Sequence, residues 1–216
     1  MKKLLLGIAA VCLAGFTFAQ DAPLWMRHSV ISPDGTTIAF TYKGDIYTVP
    51  VAGGRAMQIT TNPAYDTAPV WSPDSKRIAF ASDRMGSLDV YIVAKDGGEP
   101  RRLTTHSGSE TPLAFTDAGH VLFSAGIMPS AEAVVFPSNG QFNQVYRVSV
   151  EGGRPTMISS MPMECISINK EGAMLYQDKK GYEDYWRKHH VSPIARDIWM
   201  YTPGKEPQYR QPVSYT

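Results

Sequence analysis

The fold of this chain is best indicated by the nine residues Ser32-Pro33-Asp34-Gly35-Thr36-Thr37-Ile38-Ala39-Phe40, which recur forty residues later as Ser72-Pro73-Asp74-Ser75-Lys76-Arg77-Ile78-Ala79-Phe80. Weaker copies follow as Phe115-Thr116-Asp117-Ala118-Gly119-His120-Val121-Leu122-Phe123 and Ile168-Asn169-Lys170-Glu171-Gly172-Ala173-Met174-Leu175-Tyr176. All four copies end in an aromatic residue. Because internal self-similarity is typical of repeat architectures, the chain is predicted to contain four copies of one structural unit.

Each copy is followed by two further landmarks in the same order. The first is a polar residue ahead of an aliphatic and an aromatic one: Asp45-Ile46-Tyr47, Asp89-Val90-Tyr91, Gln144-Val145-Tyr146 and Asp197-Ile198-Trp199. The second is a diglycine or its equivalent ahead of a short strand: Gly53-Gly54, Gly97-Gly98, Gly152-Gly153 and Pro203-Gly204. Chance does not produce three ordered landmarks in four successive copies.

The Ser-Pro-Asp-Gly tetrapeptide has the composition of a type I turn, because proline presets φ at the second position and glycine is favoured at the fourth. In the second copy, residues 68–71 are predicted to form the strand before this turn, and residues 78–81 carry the β-branched and aromatic side chains of a buried strand after it. A polar turn at 83–87, a third strand at 88–93 and an outer strand at 101–104 complete the unit. Each unit is therefore predicted to be a four-stranded antiparallel meander.

A single meander of about 45 residues cannot bury both of its apolar faces, so such units must stack on one another. A solenoid would need shorter repeats, and a sandwich needs no periodicity. We therefore predict an all-β fold, a β-propeller with blades at about 24–63, 64–107, 108–161 and 162–216. Four is the smallest usual blade number, so we expect these blades to be an incomplete arc of a larger propeller in a protein that continues past Thr216.

The first nineteen residues are predicted to be a signal peptide, since Lys2 and Lys3 precede an apolar segment and Thr17-Phe18-Ala19 ends in small residues at the cleavage positions. The apolar segment is shorter than the roughly 20 residues needed for a membrane anchor. We expect an exported protein, periplasmic or extracellular, with no membrane span after the signal is removed. Cleavage leaves one cysteine, Cys165, which is predicted to be a buried strand residue without a disulfide partner.

Composition excludes several classes of protein. The 216 residues are 43% hydrophobic and 19% charged, which excludes a disordered chain. The formal net charge is only +1, without the basic excess that phosphate-backbone binding requires, so no nucleic-acid partner is expected.

The succession of S-P-D-G, D-[I/V]-Y, a diglycine and a terminal L-T or I-T resembles the repeats of TolB-type propellers, over about residues 24–216. The extra residues in the fourth unit, and the short stretch between the export signal and the first turn, are similar to the amino-terminal propeller of tricorn-like serine peptidases. That resemblance implies a propeller that filters or guides peptides within a longer peptidase. The alternative is a stand-alone TolB-type protein-binding module of the cell envelope.

No catalytic residue, cofactor or metal site is predicted within this chain. The cluster His106-Ser107-Gly108-Ser109-Glu110 holds the residue types of a nucleophilic site, but no G-x-S-x-G elbow surrounds it, so it is interpreted as a loop between units. His189 and His190 are adjacent on the chain and would point to opposite sides of an extended segment, which disfavours a shared metal ion.

Two insertions distinguish the third and fourth units from the compact first two. They span residues 125–143 and 181–196, inside the same hairpin of each unit, and are expected to emerge at one face of adjacent blades. Aromatic and arginine side chains on loops are the types that anchor interfaces. The weak interface candidates are therefore Tyr182, Tyr185, Trp186, Arg187, Lys188 and Arg196. Their expected partners are peptides or other domains of a longer parent protein, and the alternative is that they pack on their own propeller.

Overall fold

The computed structural model describes residues 25–126, 143–161, 163–169, 171–178 and 197–213. In these ranges sixteen β-strands form four separate antiparallel sheets, each with its four strands hydrogen-bonded in chain order. The predicted all-β propeller of four-stranded blades is confirmed, and the blades form an open arc.

Each blade is a meander that runs from an inner strand to an outer one. The first blade contains β1 (Arg27–Ile31), β2 (Thr37–Tyr42), β3 (Asp45–Pro50) and β4 (Met57–Gln58). The second contains β5 (Asp66–Trp71), β6 (Arg77–Ser82), β7 (Asp89–Ala94) and β8 (Arg101–Arg102). The third contains β9 (Glu110–Asp117), β10 (His120–Ala125), β11 (Gln144–Ser149) and β12 (Thr156–Ser159). The fourth contains β13 (Glu164–Ile168), β14 (Met174–Gln177), β15 (Ile198–Thr202) and β16 (Gln208–Val213).

The Ser-Pro-Asp-Gly segment forms the turn that its composition predicts. The Gly35 amide donates to the Ser32 carbonyl oxygen at 2.8 Å, which closes the turn between β1 and β2. Gly35 has a φ of +71°, a left-handed conformation that glycine adopts without steric cost. The second copy closes in the same way, from the Ser75 amide to the Ser72 carbonyl oxygen at 2.9 Å.

The inner strands carry a repeated bulge that the alternation of side chains does not reveal. His28, Ala68 and Cys165 occupy the same place in β1, β5 and β13, with φ values of +51°, +52° and +51°, and the strand register shifts there. A bulge inserts an unpaired residue and breaks the two-residue period. The prediction that Cys165 is buried is therefore wrong, because this strand residue is exposed.

The outer strands of the first two blades are only two residues long, because a threonine side chain replaces the last backbone pairing. β8 spans only Arg101–Arg102, although the sequence predicts a strand over 101–104. Beyond it, the Val90 amide donates to the Thr104 hydroxyl at 2.9 Å. The Ile46 amide donates in the same way to the Thr60 hydroxyl at 3.0 Å in the first blade.

The hydrophobic core lies between the blades. In the second, third and fourth blades, the aromatic pair on the second and third strands faces the preceding blade, as with Phe80 and Tyr91, whose ring centroids are 6.0 Å apart. Ala39 of the first blade packs in the same core as Phe80, so a small side chain lies opposite a large one. The same arrangement recurs between the second and third blades, where Phe123 packs in one core with Ala79.

The two ends of the arc leave the equivalent surfaces uncovered by a further blade. Leu175 of the fourth blade occupies the position that Ala79 holds in the second, and its side chain is 45% exposed. In the first blade, Phe40 occupies the position of Phe80 and stacks on Tyr47 within its own sheet. In the described part of the chain, no strand of the first blade packs on the fourth blade to the extent that β1 packs on β5.

Candidate functional site

The inner strands of all four blades line one central pocket. Its volume is about 400 Å³, and apolar side chains and prolines dominate its wall. The side chains from β1, β5, β9 and β13 include Ile31, Val70, Leu113, Phe115, Ile166 and Ile168. Among the described residues, none that lines this pocket is charged, so these residues offer apolar contact to a ligand but no acid, base or nucleophile.

The pocket is held in shape by an interblade hydrogen bond. The indole Nε1 of Trp71, near the end of β5, donates to the carbonyl oxygen of Val30 on β1 at 3.1 Å. The Trp71 side chain is itself buried in the core between the first two blades. The bond satisfies a polar group that would otherwise be buried without a partner, and it fixes the two inner strands relative to each other.

A second candidate region is the insertion face. We use this name for the end of the blades that carries the starts of β1, β5, β9 and β13 and the hairpins after β2, β6, β10 and β14. The fourth-blade insertion leaves this face at Asp178 and returns at Asp197, and the Asp197 amide donates to the Asp178 carboxylate at 2.9 Å. The third-blade insertion leaves after Ala125, which pairs with Gln144 in the ladder. Both insertions therefore begin at the same face of adjacent blades.

The interface candidates on the fourth-blade insertion are not among the residues that the structure describes. These are Tyr182, Tyr185, Trp186, Arg187, Lys188 and Arg196, and their role stays a prediction. His189 and His190 also lie outside the described ranges. Within those ranges, no group of three or more histidine, cysteine, aspartate or glutamate side chains is arranged to hold a metal ion.

The insertion face holds a buried ion pair that sequence reasoning missed. Arg84 donates two hydrogen bonds to the Asp66 carboxylate, at 3.0 and 3.1 Å. Asp66 is fully buried at the start of β5, and Arg84 stacks over the ring of Tyr91 at 4.5 Å from its centroid. The Asp66 amide also donates to the Gly44 carbonyl oxygen of the first blade at 2.7 Å. This pair therefore joins the hairpin of the second blade to its inner strand, at the junction with the first blade.

A second buried acid occupies the same position in the third blade. Glu110 begins β9 as Asp66 begins β5, and each lies six residues after the threonine whose hydroxyl accepts from the third strand of the preceding blade, Thr104 and Thr60 respectively. This spacing is the signal in the sequence that would have found both acids. Burial is the largest cause that raises the pKa of the Glu110 carboxyl to about 7; the Asp89 carboxylate also raises it, whereas the nearby Thr104 hydroxyl and the Arg102 charge lower it.

The cluster at residues 106–110 does not assemble into a nucleophilic site. The Nδ1 atom of His106 accepts a hydrogen bond from the Gly108 amide at 2.9 Å, which occupies the nitrogen nearest the chain. His106 and Ser109 are exposed, whereas the Glu110 side chain is fully buried. The segment between β8 and β9 is a loop between blades, which agrees with the interpretation of the sequence.

No helix among the described residues is both long and apolar enough to cross a membrane.

Comparison with known proteins gives a family and several relatives. Residues 23–212 match the family described as the tricorn protease N-terminal beta propeller domain. Tricorn protease homolog 1 of Streptomyces coelicolor is 25% identical over 180 residues, which cover 83% of this chain and 16% of that protein. The uncharacterized peptidase YuxL of Bacillus subtilis is 30% identical over 129 residues, which cover 59% of this chain and 20% of that protein.

The fold is shared with a solved TolB structure. The structure of a putative TolB from Agrobacterium tumefaciens superimposes with a TM-score of 0.61 at 23% identity, and the match covers 84% of this chain and 63% of that one. Matches to the two curated relatives span a fifth or less of their length.

Proposed function

The chain belongs to the family of tricorn protease N-terminal β-propeller domains, and from that premise we propose that it is a non-catalytic propeller segment that binds peptides for a peptidase. In this role the propeller receives extended peptides, and a separate part of a longer parent protein performs hydrolysis. The domain's contribution is substrate access or domain docking. Relatives whose names include protease or peptidase support the proposal.

The observation that carries this proposal is the central pocket. Four inner strands bring apolar side chains to one concave surface of about 400 Å³. Extended peptides offer alternate side chains to such a surface, and apolar contact is tolerant of sequence, as access to a protease requires. The described residues that line the pocket include no acid, base or nucleophile, so the proposed role is binding without cleavage.

A second candidate function is a stand-alone protein-binding module of the cell envelope. The TolB-like fold favours it, since the match covers more than half of that chain. In this role the insertion face, and not the central pocket, would carry the contact with a folded partner. The two functions therefore differ in the surface at which a substitution would weaken binding.

The proposal is tested by fluorescence anisotropy with a fluorescein-labelled, leucine-rich peptide and the chain from residue 20. Ile31 lines the central pocket and is 55% exposed, so Ile31→Asp should place a charge against the bound peptide. We expect the dissociation constant to rise about tenfold or more, as loss of a central apolar contact does.

Val51→Asp is the matched control for this experiment. Val51 is an aliphatic residue of the same blade that is 46% exposed, but it follows β3 and is not among the residues that line the pocket. Its substitution should leave the dissociation constant unchanged. Peptide recognition at the pocket would be excluded if both substitutions weakened peptide binding equally. It would also be excluded if the wild-type chain did not bind the peptide.

The same proteins should not hydrolyse peptides. A mixture of fluorogenic peptides should show no turnover above the rate without protein, because the described residues form no nucleophile and base pair. Turnover that is lost in Ser109→Ala would contradict the non-catalytic role.

We also propose that the chain is exported and that its mature form begins at Gln20. The proposal rests on the basic, apolar and small-residue segments of positions 1–19. Intact mass of the protein recovered from outside the cytoplasm is the test. A mature protein that retains Met1 to Ala19 would contradict it.

A further inference from the structure

Glu110 and Asp66 occupy equivalent junctions between blades. Each begins an inner strand, and each side chain is fully buried. The Asp66 amide donates to the Gly44 carbonyl oxygen at 2.7 Å, and the Glu110 amide donates to the Leu88 carbonyl oxygen at 2.7 Å. In both cases the acceptor is the residue immediately before the third strand of the preceding blade. The two carboxyl groups therefore lie in matching positions of consecutive blades.

The two junctions differ in whether the buried carboxyl group has an arginine partner. Asp66 receives two hydrogen bonds from Arg84. Glu110 receives no comparable ion pair: neither of its carboxyl oxygens has a partner at hydrogen-bond geometry among the described residues, and the nearby Thr104 hydroxyl lowers the pKa of the carboxyl group less than burial raises it. Arg84 stands four residues after Phe80, and the residue four after Phe123 in the third unit is an isoleucine, so the repeat has lost the arginine at this junction. A buried carboxylate without a partner is costly, whereas a neutral carboxyl group is far less so.

Two charged groups of the second blade face Glu110. Asp89 on β7 is fully buried and lies next to Leu88, which accepts the hydrogen bond from the Glu110 amide. Arg102 on β8 is paired with Asp89 at 2.8 Å. An ionised Glu110 would therefore place two buried carboxylates beside one guanidinium that is already paired.

The other strands packed against β9 supply no compensating charge. Their titratable or charged groups are Asp66 on β5, Arg77 on β6, His120 on β10, and Glu164 and the exposed Cys165 on β13. Asp66 is held by Arg84, and Glu164 is itself an acid. Arg77 donates to the Ala118 carbonyl oxygen and His120 pairs with Asp117, both at the end of β9 opposite Glu110.

The fourth blade shows that a neutral side chain fits this position. Met163, which precedes β13 at the place equivalent to Glu110, is 3% exposed and packs in the core between the third and fourth blades. We propose that Glu110 is a proton-controlled latch, in which the neutral carboxyl group holds the start of β9 against the second blade and the ionised group loosens it. Protonation takes one proton from the solvent and removes the charge of Glu110 beside the buried Asp89 carboxylate.

The direction of the pH dependence follows from burial. The pKa of Glu110 is raised from 4.5 to about 7 in the folded protein, chiefly by burial. A raised carboxyl pKa means that the folded junction favours the protonated form. The stability of the junction is therefore full below about pH 4.5 and falls as pH rises to about 7.

Hydrogen exchange at single-residue resolution tests the latch in the chain from residue 20. Rates are corrected for the intrinsic pH dependence of amide exchange. We expect the protection factor of the Glu110 amide to fall by about tenfold or more between about pH 5.5 and about pH 8.5. The Asp66 amide makes the equivalent bond at the other junction and serves as the internal control, so its protection should stay constant.

Two substitutions distinguish the effect of protonating residue 110 from the effect of its side-chain packing. Glu110→Gln keeps the shape without the titration, and Glu110→Met adopts the residue of the fourth blade. In both proteins the protection of the residue-110 amide should be independent of pH. If one of them does not fold, the other and the wild-type comparison of the two junctions still decide the matter.

Two results would overturn the latch. One is a wild-type Glu110 amide whose protection changes with pH no more than that of the Asp66 amide. The other is a pH dependence that persists unchanged in Glu110→Gln or Glu110→Met, which would assign it to a different group.

Discussion

Arg84 is the side chain on which the buried charge of the second blade depends. It donates two hydrogen bonds to Asp66, which is fully buried, and stacks over both Tyr91 and Phe80. The guanidinium suits this place because its planar fork matches a carboxylate and its face lies flat on aromatic rings. The Asp66–Arg84 pair therefore stabilises the interior of the blade, because either charge would destabilise the fold if it were buried without the other.

Removal of this guanidinium should destabilise the protein strongly. We expect Arg84→Ala to lower the free energy of unfolding by about 3–5 kcal/mol, because the Asp66 carboxylate stays buried without compensation. Urea denaturation followed by circular dichroism measures the change. Adding Asp66→Asn should recover part of the loss, since it removes the stranded charge. A loss below about 1 kcal/mol, the value of a surface ion pair, would contradict the structural role.

The hydrogen bonds of the first turn predict a low pKa for the Asp34 carboxyl group. Asp34 accepts hydrogen bonds from the Ser32 hydroxyl at 2.6 Å and from the Thr36 amide at 3.0 Å. These bonds, with the Ser32 bond the strongest cause, lower the pKa of Asp34 from 3.8 to about 2. The stability that these hydrogen bonds give the folded protein is therefore present above about pH 3.8 and is lost as pH falls toward about 2.

Ser32→Ala should raise the pKa of Asp34 toward its ordinary value. Carboxyl carbon NMR as a function of pH measures it. The control is Asp74 in the same protein, whose pKa is lowered by the equivalent bond from Ser72. An Asp34 titration that does not respond to Ser32→Ala would show that the turn hydrogen bond is not the cause.

At the scale of strands, the repeat predicts the elements better than the details of their pairing. The turn at Ser32 and the order of four strands follow from turn chemistry and β-propensity, which act locally. The bulges at His28, Ala68 and Cys165 do not, because a two-residue period assumes regular pairing. The exposure of Cys165 is the direct consequence.

The candidate site was predicted less well than the fold, for a related reason. The central pocket needs side chains from four separate strands, and no local pattern gives their convergence. The Asp66–Arg84 pair joins residues eighteen positions apart, and each alone looks like an ordinary polar residue in a turn or at a strand end. Alignment of the repeats would have placed the acids Asp66 and Glu110 at equivalent positions. It would not have shown that the two carboxyl groups have different surroundings.

The bulge in β5 makes a prediction about backbone conformation. Ala68 has a φ of +52°, in the left-handed region where a branched Cβ is strongly disfavoured. Ala68→Val should lower the free energy of unfolding by about 1–3 kcal/mol. Ala68→Gly should leave it unchanged or raise it slightly, because glycine enters this region without strain. Urea denaturation compares the two, and equal destabilisation by both would show that packing and not φ decides this site.

At the scale of the whole molecule, the blades are alike but the arc is open. Interblade cores cover the aromatic pair of every blade except the first. Leu175 in the fourth blade holds the position at which Ala39, Ala79 and Leu122 are buried against the next blade, and it is 45% exposed. A blade that lacks a neighbour leaves apolar surface in water, and roughly 25 cal/mol is lost for each Å² not buried.

The same end surfaces suggest how the isolated chain behaves. Leu175 is exposed at one end of the arc, and at the other end Tyr42 and Tyr47 are partly exposed beside the buried Phe40, so both ends present side chains of the kinds found in the interblade cores. One copy can therefore place its fourth blade against the first blade of another. Such a head-to-tail contact need not close, so it gives a range of assemblies and not one defined oligomer.

The most direct test of an open four-bladed arc is size-exclusion chromatography with light scattering on residues 20–216, over a range of concentrations. An open arc predicts a mass above that of one chain, rising with concentration and lowered by Leu175→Asp. A single sharp monomer peak at every concentration, with one cooperative thermal transition, would mean that the first and fourth blades close on each other and would contradict the open arc.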